Sequence, residues 1–441
     1  MKCLIIAAGS GSRLAALGDS KPLVSLLGLP IIERVLLAAK RGGIKDFYVV
    51  TGYNGEKVRA FLEVLAPRRN LSITPVVNEQ WNQAGNGMSV LKAREHLQEP
   101  FILLMADHLF DADIVARLQQ VSLGKNQVCL AIDRNLSNPL VDGDDVTKVR
   151  VDQEQIRAIG KHLEDYNAYD TGLFLCHPTL FEGLEKSMTE HKDSSLAGGI
   201  RILAQQRKAG TMEVGDSFWL DVDNEQMLNR GECHLLGHLK KNRDGPVSKH
   251  LNRPVSVRIT RFLVKRTNVT PNQISLISFL VCVAASGLFA MQGYWSLVLG
   301  GVLAQFASIL DGCDGEIARL KLIESDFGGW FDAVLDRYAD ALMLFGLTWH
   351  VYTNSSNEIA LGVGFLAIIG SFMTSYTADK YDSLMRVKFE QGKGLRMGRD
   401  IRVFMIFVGT LLNVPLLVLW LVAVVMNLET LRRVVVAHSH E

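Results

Sequence analysis

Asp311-Gly-Cys-Asp314-Gly315-Glu-Ile-Ala318-Arg319, followed by Gly328-x-x-x-Asp332-x-x-x-Asp336, is the stretch on which the reading of this chain turns. Asp311 and Asp314 are three residues apart and share one helix face; Asp332 and Asp336, four apart, share another. Their surroundings make them unusual. From Asn268 to Leu310 there is no Asp, Glu, Lys, Arg or His, and a run of that length can hold two spanning helices of about 20 residues each. Carboxylates inside such segments are costly and point to function. Four of them gathered on two facing helices would repel strongly unless cations bind, and oxygen-only ligands favour Mg²⁺, Mn²⁺ or Ca²⁺.

Working outward, the apolar segments are Ile274–Met291, Ser296–Leu310, Trp330–Tyr352, Ile359–Ala378, Val403–Leu412 and Leu416–Leu428, the fifth short unless it begins near Arg399. They predict an all-α, six-helix transmembrane domain over residues 268–441. Basic residues fall in 249–266, 316–326, 379–402 and 429–433, and the turns near Gln292, Asn354–Asn357 and Asn413 lack them. The positive-inside rule then places both ends of this domain, and whatever precedes it, in the cytoplasm. Residues 231–267 read as a linker and an interfacial amphipathic helix, with Val255, Val257, Ile259, Phe262 and Leu263 on an apolar side among Lys249, Arg253, Arg258, Arg261, Lys265 and Arg266. The basic segment 380–402, with Lys393, Arg396, Arg399 and Arg402, is either a pocket for a phosphorylated acceptor or an ordinary positively charged loop.

The pattern D-x-x-D-G-x-x-A-R…G-x-x-x-D-x-x-x-D resembles the signature of the CDP-alcohol phosphotransferase family, and it is complete here. The resemblance implies a six-helix membrane fold. It implies that Asp311, Asp314 and Asp332 hold the metals that bind a CDP diphosphate, with Asp336 close to that set as the base that deprotonates the acceptor hydroxyl. Gly315, Ala318 and Arg319 would lie against the nucleotide. It also implies a homodimer through the membrane helices.

The chain has 441 residues, with 47 Lys plus Arg against 46 Asp plus Glu, a net charge of +1 that does not suit a nucleic-acid binder. Its six cysteines are scattered without a C-x-x-C pair, which excludes a disulfide framework and fits a reducing compartment. Cys3–Ala8 is apolar but too short for the core of a signal peptide. Residues 1–230 alternate apolar runs with amphipathic segments: strands at Cys3–Ala8, Phe47–Val50, Ile73–Val77, Phe101–Met105 and Val128–Ala131, and helices at Ile31–Lys40, Glu56–Leu65, Ser89–His96 and Ala112–Gln120. That alternation predicts an α/β, Rossmann-like domain on a largely parallel sheet, with ligands beyond the strands' carboxyl ends.

The first strand runs into Ala7-Ala8-Gly9-Ser10-Gly11-Ser-Arg13, with Lys21-Pro-Leu23 after it. Glycines let backbone approach a phosphate, and Arg13 and Lys21 can neutralise a triphosphate and its departing pyrophosphate. The ending G-K-[ST] of a Walker loop is missing. The loop resembles the start of the sugar-phosphate nucleotidyltransferases, A-A-G-x-G-x-R then K-P-L. By that resemblance Asp107, at the end of Phe101–Met105, binds Mg²⁺ together with either Asp221 or Asp223. Asn78, Asn86, Gly87 and Ser89 would read the nucleotide, and Lys161 and Asp170 would hold the sugar-phosphate partner.

The two halves imply connected reactions. The soluble half would make a CDP-alcohol from CTP and an alcohol phosphate, and the membrane half would pass the phospho-alcohol to a second alcohol and release CMP. Similar two-domain enzymes use inositol 1-phosphate both as the activated phosphate and as the acceptor, with Mg²⁺, or Mn²⁺, in both domains. A phospholipid synthase with a lipid donor or acceptor is the alternative, and a membrane-anchored nucleotide-binding module without turnover is a third.

Overall fold

In the computed structural model, residues 1–14, 18, 20–124, 126–239, 244–356, 358–385 and 398–438 are described, and the chain divides into two compact units, Met1–His234 and Leu235–Glu441.

The strands of the first unit are β1 (Lys2–Ala7), β2 (Ser25–Leu26), β3 (Leu29–Pro30), β4 (Asp46–Thr51), β5 (Ser72–Val77), β6 (Phe101–Met105), β7 (His108–Phe110), β8 (Val128–Asp133), β9 (Lys148–Asp152), β10 (Gln155–Gly160), β11 (Ala168–Cys176), β12 (Ala209–Glu213) and β13 (Trp219–Asp221). Its helices are α1 (Ile31–Arg41), α2 (Gly55–Arg69), α3 (Asn86–Lys92), α4 (Ala112–Leu118), α5 (Thr179–His191), α6 (Leu196–Gln205) and α7 (Glu225–Gly237), whose last turn crosses into the second unit. The main sheet has the order β5-β4-β1-β6-β11-β8-β12-β10-β9. Strands β5, β4, β1 and β6 are parallel. Buried on both faces, β1 and β6 are continuous apolar runs, as such strands must be. The largely parallel reading holds only for this half of the sheet. β11 runs antiparallel to both β6 and β8, and β9 and β10 form an antiparallel hairpin. The helix expected over Ser89–His96 breaks: α3 ends at Lys92 and a separate 3₁₀ turn spans Arg94–His96.

Two features of this topology assemble the site. β1 and β6 pair with Ile6 beside Met105, and the Ala106 N–H donates to the Ile6 carbonyl at 3.0 Å, so the glycine loop and Asp107 leave the sheet side by side. The small ribbon β7–β13 pairs His108 with Asp221, which carries residues 221–223 to the same place. Buried Trp219 fixes that ribbon by donating from its indole nitrogen to Asp133 at 2.8 Å.

The second unit holds α8 (Arg253–Arg266), α9 (Pro271–Ala290), α10 (Tyr294–Leu320), α11 (Asp326–Ser355), α12 (Ile359–Met385), α13 (Arg399–Leu411) and α14 (Pro415–His438). α9 opens on a capping box, Thr270 with Gln273, and has Pro271 in its first turn. Ser325 caps α11 by accepting from the Gly328 N–H at 3.1 Å. The helix bodies pack through Ala285, Phe289, Ala304, Ala339, Leu347, Ala367 and Leu419, which form one apolar core. Six helices follow α8, but among the described residues four are long and apolar enough to cross a membrane: α9, α10, Ile359–Thr377 of α12 and Pro415–Val436 of α14. The expected six spans therefore reduce to four on this criterion. α11 fails because Asp326, Asp332, Asp336, Arg337 and Asp340 crowd its first half, and α13 fails because 13 residues reach only about 20 Å.

Within the second unit α8 packs by a face other than its apolar side. Its packed face is Arg253, Ser256, Thr260 and Val264, mostly polar, while Val255 and Phe262 are exposed. The polar face is satisfied by Glu316 of α10, which is fully buried and accepts from Arg253 at 2.6 Å, Ser256 at 2.6 Å and Thr260 at 2.7 Å. Arg253 also grips Asp244 through two hydrogen bonds of 2.9 and 3.0 Å.

Candidate active sites

In the first unit the loop after β1 turns at Gly11, where φ is +57° and a Cβ would run into the Lys21 side chain. Ala7 and Ala8 are buried at the strand end, whereas Gly9 and Ser10 are exposed. Lys21 is nearly buried and donates to Asp107 at 2.5 Å and to Asp223. Arg13 pairs with Asp145 and lies 4.0 Å from Asp223. Asp107 and Asp221 both face His108, at 2.9 Å from Nδ1 and 3.8 Å from Nε2 respectively. Gly172 leaves room for this imidazole, since a Cβ there would overlap the ring and its φ is +77°.

The electrostatics follow from burial and neighbours. Burial alone would raise Asp107 and lower Lys21 and His108, but mutual attraction wins in each case. Asp107 is held well below the usual carboxylate range by Lys21 and His108. Lys21 is held above its ordinary value by Asp107, Asp221 and Asp223, and His108 is pushed up to about 9 by Asp221 and Asp107. Asp221 goes the other way, up to about 7, because burial and the like charges of Asp107 and Asp223 outweigh the cations. Two carboxylates with opposite shifts and one buried oxygen of Asp221 without a partner among the described residues are what a divalent cation would relieve. Asp107, His108 and Asp221 each offer a ligand atom within 4.8 Å of the others.

Other expected residues lie nearby with different attachments. Asn78 and Ser89 are both buried and joined by a 3.0 Å hydrogen bond from the Asn78 amide. Asn86 instead accepts from the Leu196 N–H at 2.8 Å, and Gly87 donates from its backbone to Ser194, so both fasten α3 to the start of α6. Asp170 accepts from the Gly172 N–H at 2.8 Å, and burial pushes it up to about 6. Lys161 pairs with Asp145 at 2.7 Å, so one carboxylate holds both Arg13 and Lys161. His108 and Asp145 were missed from sequence. His108 directly follows Asp107, the one available signal; Asp145 sits in a loop with none.

In the second unit, Asp311 of α10 meets Asp332 and Asp336 of α11, with one oxygen from each within 4.8 Å of the others. Asp314, one turn on from Asp311, accepts from Ser275 of α9 and from the Gly315 N–H, and its carboxyl lies within hydrogen-bond reach of Asp332. One oxygen of Asp332 is buried without a partner among the described residues. All-oxygen donors at this spacing, with an orphaned carboxylate oxygen, suit a hard divalent cation. Gly315 and Ala318 lie on the same helix, and Arg319 donates to the Leu239 carbonyl at 3.3 Å. Arg399, at the start of α13, reaches into the trio: its Nη1 lies 2.9 Å from Asp311 and 2.5 Å from Asp336, and its Nε lies 3.2 Å from Asp340. Lys393 and Arg396 lie outside the described residues.

Residues 3–193 match the sequence model of the MobA-like NTP transferase domain, and residues 268–431 match that of the CDP-alcohol phosphatidyltransferases. A bifunctional IPC transferase and DIPP synthase of Rubrobacter xylanophilus is 35% identical over 97% of this chain and 94% of its own length. Its namesake from Aquifex aeolicus is 32% identical over 97% and 96%. An archaetidylinositol phosphate synthase of Pyrococcus horikoshii is 33% identical over 38% of this chain and 82% of its own.

Proposed function

Because this chain belongs to the family of bifunctional IPC transferases and DIPP synthases, we propose that it carries out two transfers in sequence. The first unit converts CTP and inositol 1-phosphate to CDP-inositol and pyrophosphate. The second passes phosphoinositol from CDP-inositol to another inositol 1-phosphate, giving di-inositol phosphate phosphate and CMP. The observation that carries this reading is the presence of both acidic-and-cationic sites in one chain aligned with such relatives over nearly its whole length.

In the first reaction a phosphate oxygen of inositol 1-phosphate attacks the α-phosphorus of CTP. Lys21 and Arg13 hold the triphosphate and follow its charge onto pyrophosphate. Asp107 with Asp221 or Asp223 would hold Mg²⁺ or Mn²⁺, which would supply further charge neutralisation at the phosphates. Ala7 to Gly11, Asn78, Asn86, Gly87 and Ser89 form the nucleotide seat, and Lys161 and Asp170 serve the inositol phosphate. Positioning does most of the work, since the protein forms no covalent bond.

In the second reaction Asp336 takes the proton of the acceptor hydroxyl as that oxygen attacks the β-phosphorus of CDP-inositol, and CMP leaves. Asp311, Asp314 and Asp332, with Asp336 closing the set, would hold the metals. Gly315, Ala318 and Arg319 lie along the nucleotide, and Arg399, with Lys393 and Arg396, serves the acceptor's phosphate. Helices α9–α14 form a six-helix membrane domain from residue 268, preceded by a soluble domain to residue 230 and the 231–267 linker. Both active sites face the cytoplasm, and the membrane domains pair as a homodimer.

The test is phosphorus NMR on detergent-solubilised protein with Mg²⁺, CTP and inositol 1-phosphate. Pyrophosphate, a CDP-inositol signal, then a phosphodiester with free CMP are expected. A diphosphate that accumulates would overturn the second step and point to a lipid acceptor. No pyrophosphate would overturn the first.

A further inference from the structure

Asp340 is a third carboxylate on the face of α11 that carries Asp332 and Asp336, one turn beyond the signature. Its surroundings differ from theirs. One oxygen lies 3.2 Å from Arg399 Nε; the other accepts from Arg402 Nη2 and, at 3.2 Å, from Ser371 of α12. Both oxygens are therefore spoken for by α12 and α13, and neither is offered to the trio of Asp311, Asp332 and Asp336. Arg402 is buried, so Asp340 and Arg402 form an enclosed ion pair. Arg399 is the member with two loyalties, since its Nη1 bridges Asp311 and Asp336 while its Nε stays on Asp340. If cations take over the charge of Asp311 and Asp336, Nη1 loses its reason to be there. The Nε contact alone then decides whether Arg399 stays or swings away.

We propose that Asp340 is a positioning residue: it tethers Arg399 through Nε, backed by Arg402 and Ser371, so that the freed Nη edge meets the phosphomonoester of the acceptor. A guanidinium fixed on one edge by a carboxylate and open on the other is suited to a phosphate dianion. This rests on the reading of Arg399 as the acceptor-phosphate residue.

The experiment uses full-length protein in detergent, given CDP-inositol and inositol 1-phosphate, with separate KM values for each. Asp340→Asn keeps the shape and one hydrogen-bond acceptor but loses the charge. It should raise KM for inositol 1-phosphate about tenfold or more, leave KM for CDP-inositol within about twofold, and weaken inorganic phosphate as a competitive inhibitor to the same degree. Calorimetric titration of inorganic phosphate into the Mg²⁺-loaded protein gives the same comparison without turnover. A fall in kcat with both KM values unchanged, or a parallel rise of both, would reduce Asp340 to a packing role and overturn the proposal. Should Asp340→Asn fail to fold, Asp340→Glu carries the test, because it keeps the charge and displaces the tether by one methylene. Arg399→Gln separates the two ideas. If it leaves KM for inositol 1-phosphate unchanged, the assignment of Arg399 itself is wrong; if it raises that KM while Asp340→Asn does not, only the tether is wrong.

Discussion

Both units place a basic side chain among carboxylates, and they build that arrangement in different ways. In the first unit Lys21, Asp107 and residues 221–223 come from segments about a hundred residues apart, and strand register brings them together, Ile6 beside Met105 and His108 beside Asp221. In the second unit Asp311, Asp332 and Asp336 come from two successive helices, and the 3.6-residue period aligns them. The β site includes a histidine and has its cation, Lys21, at the start of a short 3₁₀ turn. Among the described residues the helical site has only oxygen donors, and it takes its cation from a distant helix, α13. One site is set by hydrogen-bonded register, the other by which helix faces touch.

If the two sites work separately, each should fail alone. Lys21→Ala or Asp107→Ala should cut CDP-inositol formation by about 10³-fold or more, the scale expected when a charge-stabilising group is lost, with transfer from supplied CDP-inositol kept within about twofold. Asp336→Asn should cut the transfer by about 10²–10⁴-fold, as for loss of a general base, with pyrophosphate release intact. Radiolabelled CTP and supplied CDP-inositol read the two rates separately. A common fall in either mutant would break the comparison.

A smaller effect tests how helix packing supports the second site. Glu316 sits between Asp314 and Arg319 and is the buried partner of Arg253, Ser256 and Thr260. Glu316→Ala would leave those groups short of an acceptor, at a cost of about 3 kcal/mol. Amide hydrogen exchange across α8 should quicken by about 10²-fold, while exchange in β1 and β6 stays unchanged. Unchanged exchange in α8 would mean that the network does not fasten it.

How much of this was legible in the sequence follows from the same contrast. β1 and β6 could be read because strands buried on both faces are forced to be apolar, and Asp107 could be read because it ends such a run. The antiparallel hairpin β9–β10 and strand β11 were missed: Lys148, Arg150 and Asp152 interrupt the pattern, since β9 has one face in solvent. The signature carboxylates stood out against an uncharged run. Asp340 lies one turn further on the same face but has its partners on α12 and α13, contacts that no local spacing encodes. α8 was read through its apolar residues, yet the face it packs is polar, because its partner is Glu316 some sixty residues away. Six helices could be read from apolar length; by length and apolarity four of them qualify as spans among the described residues, because α11 carries the charges that make the site and α13 is short.

The histidine of the first site gives the finest test of the comparison. His108 is raised from about 6.5 to about 9, with burial opposed and outweighed by Asp221 and Asp107. A group whose folded value is raised stabilises fully below its unfolded value and loses that contribution as pH rises through the folded one. In metal-free protein the first unit should therefore lose up to roughly 3 kcal/mol between pH about 6.5 and 9, read as faster hydrogen exchange in β6 and β13. His108→Gln should flatten that dependence. A divalent cation held by Asp107 with Asp221 or Asp223 would add positive charge near the imidazole, so saturating Mg²⁺ should move the loss to lower pH. The second unit, with no histidine in its carboxylate cluster among the described residues, should show neither effect. A pH window that ignores both the substitution and the metal would separate His108 from the cation seat and leave Asp107 with Asp221 or Asp223 as its donors.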